Sequence, residues 1–222
     1  MTHTSGESYH IVSIHFEMPS EQLRRDTKSS VTTKIYEIRW HGRGGQGAVT
    51  AAKIIAQAAH FKGYQGVTAA PSFGAERRGV PVSALTRLST KTIAVVSQVE
   101  KPSAVVVLDQ SLLKYQEVIS GLGNGGWLVV NSWLHPKELN IKDGFNIATA
   151  DATKVCRELG LMVGGLPMVN TAMLGAFARA TQIVDILCIE KVIRERFTNN
   201  AIEINLAAIE KTYEITKLER IS

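Results

Sequence analysis

Lys34-Ile35-Tyr36-Glu37-Ile38-Arg39-Trp40-His41-Gly42-Arg43-Gly44-Gly45-Gln46-Gly47 is a strand-like run that gives way to glycines. Gly42, Gly44 and Gly47 fit the spacing G-x-G-x-x-G, and residues 48–61 read as a helix. Ala48, Ala52, Ile55 and Ala59 share one face of it, small enough to sit close on a sheet. Strand, glycine turn, helix is the arrangement in which a backbone approaches a pyrophosphate. The first helical N–H groups then bind the anion.

Outward from this unit, the chain alternates strands and helices. Residues 66–70 read as a second strand, broken by Pro71. A charged, turn-rich loop, Pro71-Ser72-Phe73-Gly74-Ala75-Glu76-Arg77-Arg78-Gly79, leads to a strand over 80–88, and 93–99 suits another. Ala104-Val105-Val106-Val107-Leu108-Asp109 is a continuous apolar run closed by an acid, as in a central parallel strand buried on both faces. A short helix over 111–119 follows, then strands at 127–131 and 146–150, closed by Asn131 and by the helix cap Asp151. Pro167 suits a first helical turn, and the rest reads as helices: one with Val169, Ala172, Met173, Ala176 and Phe177 on a face, one over 186–197, and one over 201–218 with a stripe of Ile202, Leu206, Ile209 and Tyr213. The expected fold is α/β, a doubly wound, mostly parallel, Rossmann-like sheet with C-terminal helices. Ligands of such sheets sit outside the carboxyl ends of the strands, where the glycine loop, Asp109 and Asn131 converge.

The 222 residues suit one such domain over 34–222, with residues 1–33 as an extension or arm in which 11–16 could form a short strand. No apolar run approaches the roughly 18 residues of a membrane span. The first 33 residues lack the apolar core of a signal peptide, so a cytoplasmic protein without membrane contact is expected. The net charge of +5 suits an anionic partner. The basic residues are scattered and not interleaved with aromatics, which argues against nucleic acid. Cys156 and Cys188 lie far apart without a C-x-x-C, so no zinc site or iron–sulfur cluster is expected here, and both read as buried thiols. The histidines form no H-E-x-x-H.

A dinucleotide site needs an acid about 20 residues past the glycines to hold the ribose. Between Ala48 and Ala75 there is no Asp or Glu, which argues against NAD. Arg77 and Arg78 suit the 2′-phosphate of NADP, the phosphates of a carrier such as coenzyme A, or a solvated turn. Arg43 offers a planar fork for phosphate or carboxylate. Gln46 either fixes a ligand or holds the turn through a backbone hydrogen bond. Thr50 could supply a hydroxyl to a phosphate or bond back to its own helix. His41 reads as a packed residue at a strand end.

The stretch Glu37-Ile38-Arg39-Trp40-His41-Gly42-Arg43-Gly44-Gly45-Gln46-Gly47-Ala48-Val49-Thr50-Ala51-Ala52 resembles the gamma subunit of pyruvate:ferredoxin oxidoreductase and its 2-oxoacid relatives. So do Phe73-Gly74-Ala75-Glu76-Arg77-Arg78-Gly79-Val80-Pro81-Val82, then Val106-Val107-Leu108-Asp109 and Asn170-Thr171-Ala172-Met173-Leu174-Gly175-Ala176, in that order. The resemblance runs from about Ile35 to Phe197 or beyond, and the Arg43 form of the loop is more similar to pyruvate and branched-chain members than to 2-oxoglutarate ones. It implies a multisubunit enzyme that converts a 2-oxoacid and coenzyme A to acyl-CoA and CO2 and passes electrons to ferredoxin. Thiamine diphosphate, Mg and 4Fe-4S clusters would reside on the partner alpha, beta and ferredoxin-like delta subunits, because this chain has neither a thiamine motif nor cluster cysteines. Gly42, Arg43, Gly44, Gly45, Gln46, Gly47, Thr50, Arg77, Arg78, Asp109 and Asn170 are the residues expected to shape a cofactor site; none is expected to be catalytic. A free-standing NADP-binding reductase and a non-catalytic nucleotide-binding scaffold are the alternatives.

Overall fold

The computed structural model describes residues 34–72, 79–92, 101–141 and 144–221. The arm with its strand at 11–16, the strand at 93–99, and Arg77 and Arg78 lie outside the described residues.

The opening unit forms as expected: β1 (Ile35–Arg43) runs through the glycine loop into α1 (Ala48–Phe61). Next come β2 (Gly66–Ser72), β3 (Pro81–Ser89), β4 (Ala104–Val107), β5 (Trp127–Asn131) and β6 (Asn146–Ala150). Then follow α2 (Ala152–Leu159), β7 (Met162–Val163), β8 (Leu166–Pro167), α3 (Val169–Thr181), α4 (Ile186–Arg196), α5 (Asn200–Ile215) and β9 (Lys217–Glu219). Among the described residues the main sheet has the order β2-β3-β1-β4-β5-β6-β9. β1, β2, β4, β5 and β6 run one way; β3 and β9 run the other. This is a mixed, mostly parallel α/β sheet.

Strand alternation divides the core. Ile38, Trp40, Val106, Leu108 and Val129 face the helices, while Val105, Val107, Leu128, Val130 and Ile147 pack with Leu112, Val118 and Phe145 on the opposite side. Each fully buried large side chain contributes about 1.5–3 kcal/mol. Trp40 is wholly buried, lies 5.3 Å from the Phe177 ring, and donates to Thr86 Oγ1 at 3.0 Å. Thr86 in turn donates to the Ala52 carbonyl, so one polar chain ties β1, β3 and α1 together.

Several local expectations are corrected. Pro71 does not end β2 but lies within it, paired with Ala84. β2 is an edge strand, where a missing N–H is tolerated. The helix expected over 111–119 is two 3-10 turns, Gln110–Lys114 and Gln116–Val118, separated by the extended Tyr115. Pro167 belongs to a β7–β8 hairpin turned by Gly164 and Gly165, and α3 starts only at Val169. The last helix stops at Ile215, because residues 217–219 pair with β6. Its buried side is also not the stripe read from the sequence. Of that stripe only Ile209 is buried; it joins Asn205, Ala208 and Thr212, and the polar pair bonds to α3 through Thr171 and the Ala172 carbonyl.

Candidate functional site

The connection from β1 through α1 leads to one side of the sheet, and β4 lies on the other. The gap between the carboxyl ends of β1 and β4 is therefore the topological switch point, where open α/β sheets bind ligands. The glycine loop and Asp109 flank that gap. A cavity of about 370 Å³ opens there, bounded by Gly45, Gln46, Asp109, Gln110, Arg157 and the β7–β8 hairpin. An adjoining cavity of about 320 Å³ shares Gln110, Asn131, Thr153 and Arg157 with it.

The loop is built by its own backbone and one amide. Gln46 Oε1 accepts the Arg43 N–H at 2.7 Å, and the Gln46 N–H donates to the Arg43 carbonyl at 2.9 Å. The turn-holding role of Gln46 is thus the one formed. Gly44 and the turn before β3 also bond each other: Gly44 N–H to Val80 O at 2.8 Å, Gly79 N–H to Gly44 O at 3.1 Å. Gly47 caps α1 at φ +78°, and among the described residues no side chain accepts from the first helical N–H groups. Helix N-terminal N–H groups left in this way, together with the helix dipole, are a donor set of the kind that favours an anion. Thr50 stands half-buried in the first turn of α1.

Asn170 comes from α3 to the back of the same loop. It is 1% exposed, and its Nδ2 donates to the Gly47 carbonyl at 3.4 Å. A Cβ on Gly47 would lie 2.3 Å from that nitrogen, so the third glycine of the motif makes room for a side chain of the protein itself. Gly42 is buried against Leu108 and Gln46, whereas a Cβ on Gly45 would meet nothing within 4 Å.

The Arg43 fork is engaged by the chain itself rather than left open. Its Nε donates to Asp109 Oδ2 at 2.7 Å, Nη1 to the Gly79 carbonyl at 3.1 Å and Nη2 to the Ser111 hydroxyl at 2.8 Å. Asp109 Oδ1 accepts both the N–H and the hydroxyl of Ser111. Burial raises the Asp109 pKa, but the Ser111 hydroxyl, the Arg43 guanidinium and the Ser111 N–H outweigh it and hold the carboxyl below its ordinary value. Asn131 is also engaged, donating to Leu108 O and Thr153 Oγ1 and accepting from Thr153 N–H, which locks the end of β5 to α2. His41 is packed, as expected: burial first and Arg39 second push its pKa down to about 4. Cys156 is buried, its thiol pushed up to about 12 by burial, while Cys188 is half-buried rather than buried. Sequence reasoning missed Ser111, Arg157 and the hairpin; only the last had a readable signal, the Gly164-Gly165 doublet between apolar residues.

Residues 37–215 match the family described as pyruvate ferredoxin/flavodoxin oxidoreductase. The chain belongs to that family. The pyruvate/ketoisovalerate oxidoreductases common subunit gamma of Thermococcus kodakarensis is 46% identical over 184 residues, 81% of this chain and 96% of that protein. The pyruvate synthase subunit PorC of Methanocaldococcus jannaschii is 45% identical over 177 residues, 80% and 94% of the two chains. The crystal structure of the pyruvate oxidoreductase subunit PORC of Thermotoga maritima matches with a TM-score of 0.72 at 37% identity, covering 84% of this chain and 99% of that one. The family resemblance carried by four motifs is therefore correct, and the match reaches the end of α5. Membership makes this chain one component of a multisubunit oxidoreductase. No helix among the described residues is long and apolar enough to cross a membrane.

Proposed function

We propose that the chain is the gamma subunit of a pyruvate:ferredoxin oxidoreductase, which converts pyruvate and coenzyme A to acetyl-CoA and CO2 while reducing ferredoxin. The observation that carries this reading is the family match over residues 37–215, with relatives named as gamma or PorC subunits covered over nearly their whole length. In this reading the alpha, beta and delta partners carry thiamine diphosphate, Mg and the 4Fe-4S clusters, and this chain shapes access for coenzyme A in the cytoplasm. Its glycine loop suits the anionic end of that carrier: the uncapped N-terminus of α1 supplies N–H donors, Thr50 a hydroxyl, and Gly45 an unobstructed approach. Asn170 supports the loop from behind. Arg77 and Arg78 join the proposal through the sequence alone, next along the chain to Gly79.

Purification of the native protein tests the assignment. It should co-purify with larger thiamine-binding chains and brown iron–sulfur colour, and the isolated chain should not reduce a viologen dye with pyruvate and coenzyme A. Turnover by the lone chain, or a native form free of iron and partners, would overturn it.

A further inference from the structure

Arg43 is the one strong cation set inside the glycine loop, yet all three nitrogens of its guanidinium donate to acceptors within the chain. Those acceptors come from two other loops. Gly79 belongs to the turn just before β3, and Asp109 and Ser111 to the turn after β4. Backbone bonds through Gly44 tie the loop to residues 79 and 80, and Arg43 adds the link to the turn after β4; at the tip Gly45 is exposed, with no neighbour on its Cβ side among the described residues. Both oxygens of Asp109 are engaged as well, one by Arg43 and the other by Ser111. A bare carboxylate in the cavity wall would repel an arriving phosphate; paired with Arg43, its charge is offset.

We infer that Arg43 is a positioning residue that holds the glycine loop, the turn before β3 and the turn after β4 as one rim, and does not itself bind the anion. This rests on the reading that the loop takes an anionic group of coenzyme A. Attraction then comes from backbone N–H groups, and Arg43 keeps them aimed. A planar fork is required, since an ammonium cannot reach three acceptors in fixed directions.

The two roles differ in sign at Asp109. If Arg43 were the anion ligand, Asp109→Asn would free it and lower the KM for coenzyme A, and Arg43→Lys would keep most of the affinity. As a positioning residue it behaves otherwise. In the complete complex, Arg43→Lys and Arg43→Ala should each raise that KM about tenfold, the scale of losing a charge-assisted hydrogen-bond set, with kcat nearly unchanged. Asp109→Asn should raise it too, and the Arg43→Ala/Asp109→Asn double variant should be no worse than Arg43→Ala alone. A lowered KM in Asp109→Asn, wild-type KM in Arg43→Lys, or additive losses would overturn the inference.

Should the Arg43 variants fail to assemble, amide hydrogen exchange of the full-length Asp109→Asn chain decides. Protection at Gly44 and Gly79, whose N–H groups bond across the rim, should fall together, and unchanged protection would overturn the inference. Gly45→Val separates the parent reading. If Gly45→Val raises the KM while Asp109→Asn does not, this inference alone fails. If neither variant changes it, the coenzyme A reading fails and carries this one with it.

Discussion

At the scale of single residues, neighbours decide what each glycine of the motif does. Gly47 combines φ +78° with Asn170 where a Cβ would sit, whereas Gly45 has φ +92° and open space. Gly45→Ala should therefore cost about 1–2 kcal/mol from backbone strain alone. Gly47→Ala should cost about 1–3 kcal/mol more through overpacking. Urea denaturation of the two variants measures the difference; equal losses would mean that Asn170 yields freely. His41 supplies a pH dependence. Its folded pKa is lowered from 6.5 to about 4, so between those values the unfolded chain takes a proton that the folded chain refuses. Stability should fall as pH drops from 6.5 to 4, by up to about 3 kcal/mol, and level off below. His41→Gln should flatten that window in denaturation curves run across pH; an unchanged slope would assign the effect elsewhere. Asp109, whose pKa is lowered, contributes in the same direction only in stronger acid. The motif spacing was legible in the sequence, and so was the strand-end position of Asp109. That Asp109 would capture Arg43 was not, since 66 residues separate the two.

At the scale of elements, β1, α1, β5 and β6 and the N-cap of α2 could be read directly, because hydrophobic period and turn chemistry are local signals. Elements whose form depends on a distant partner were misread. β9 is a strand only because β6 offers an edge, and the buried side of α5 can include Asn205 and Thr212 only because α3 meets them with matching groups. α3 and α5 approach so closely that a Cβ on Gly175 would lie 2.0 Å from the Ile209 carbonyl. Gly175→Ala should separate the two helices and cost about 1–3 kcal/mol or more, seen as a lowered Tm. A Tm equal to wild type would show that the pair slides apart without loss.

At the scale of the whole molecule, the order of strands creates the site. The chain leaves β1 for one side of the sheet and builds β4, β5 and β6 on the other, so the gap at the switch point lies between the glycine loop and Asp109. The sequence by itself determined the α/β class, the strand–glycine–helix unit and the family, because each is written in short stretches of alternating, small or turn-forming residues. Only the tertiary structure decided that Arg43 closes on Asp109, that Asn170 fills the space behind Gly47, and that β3 and β9 join the sheet antiparallel. Those are choices between partners far apart along the chain, and they are made by packing and charge once the sheet has brought them together.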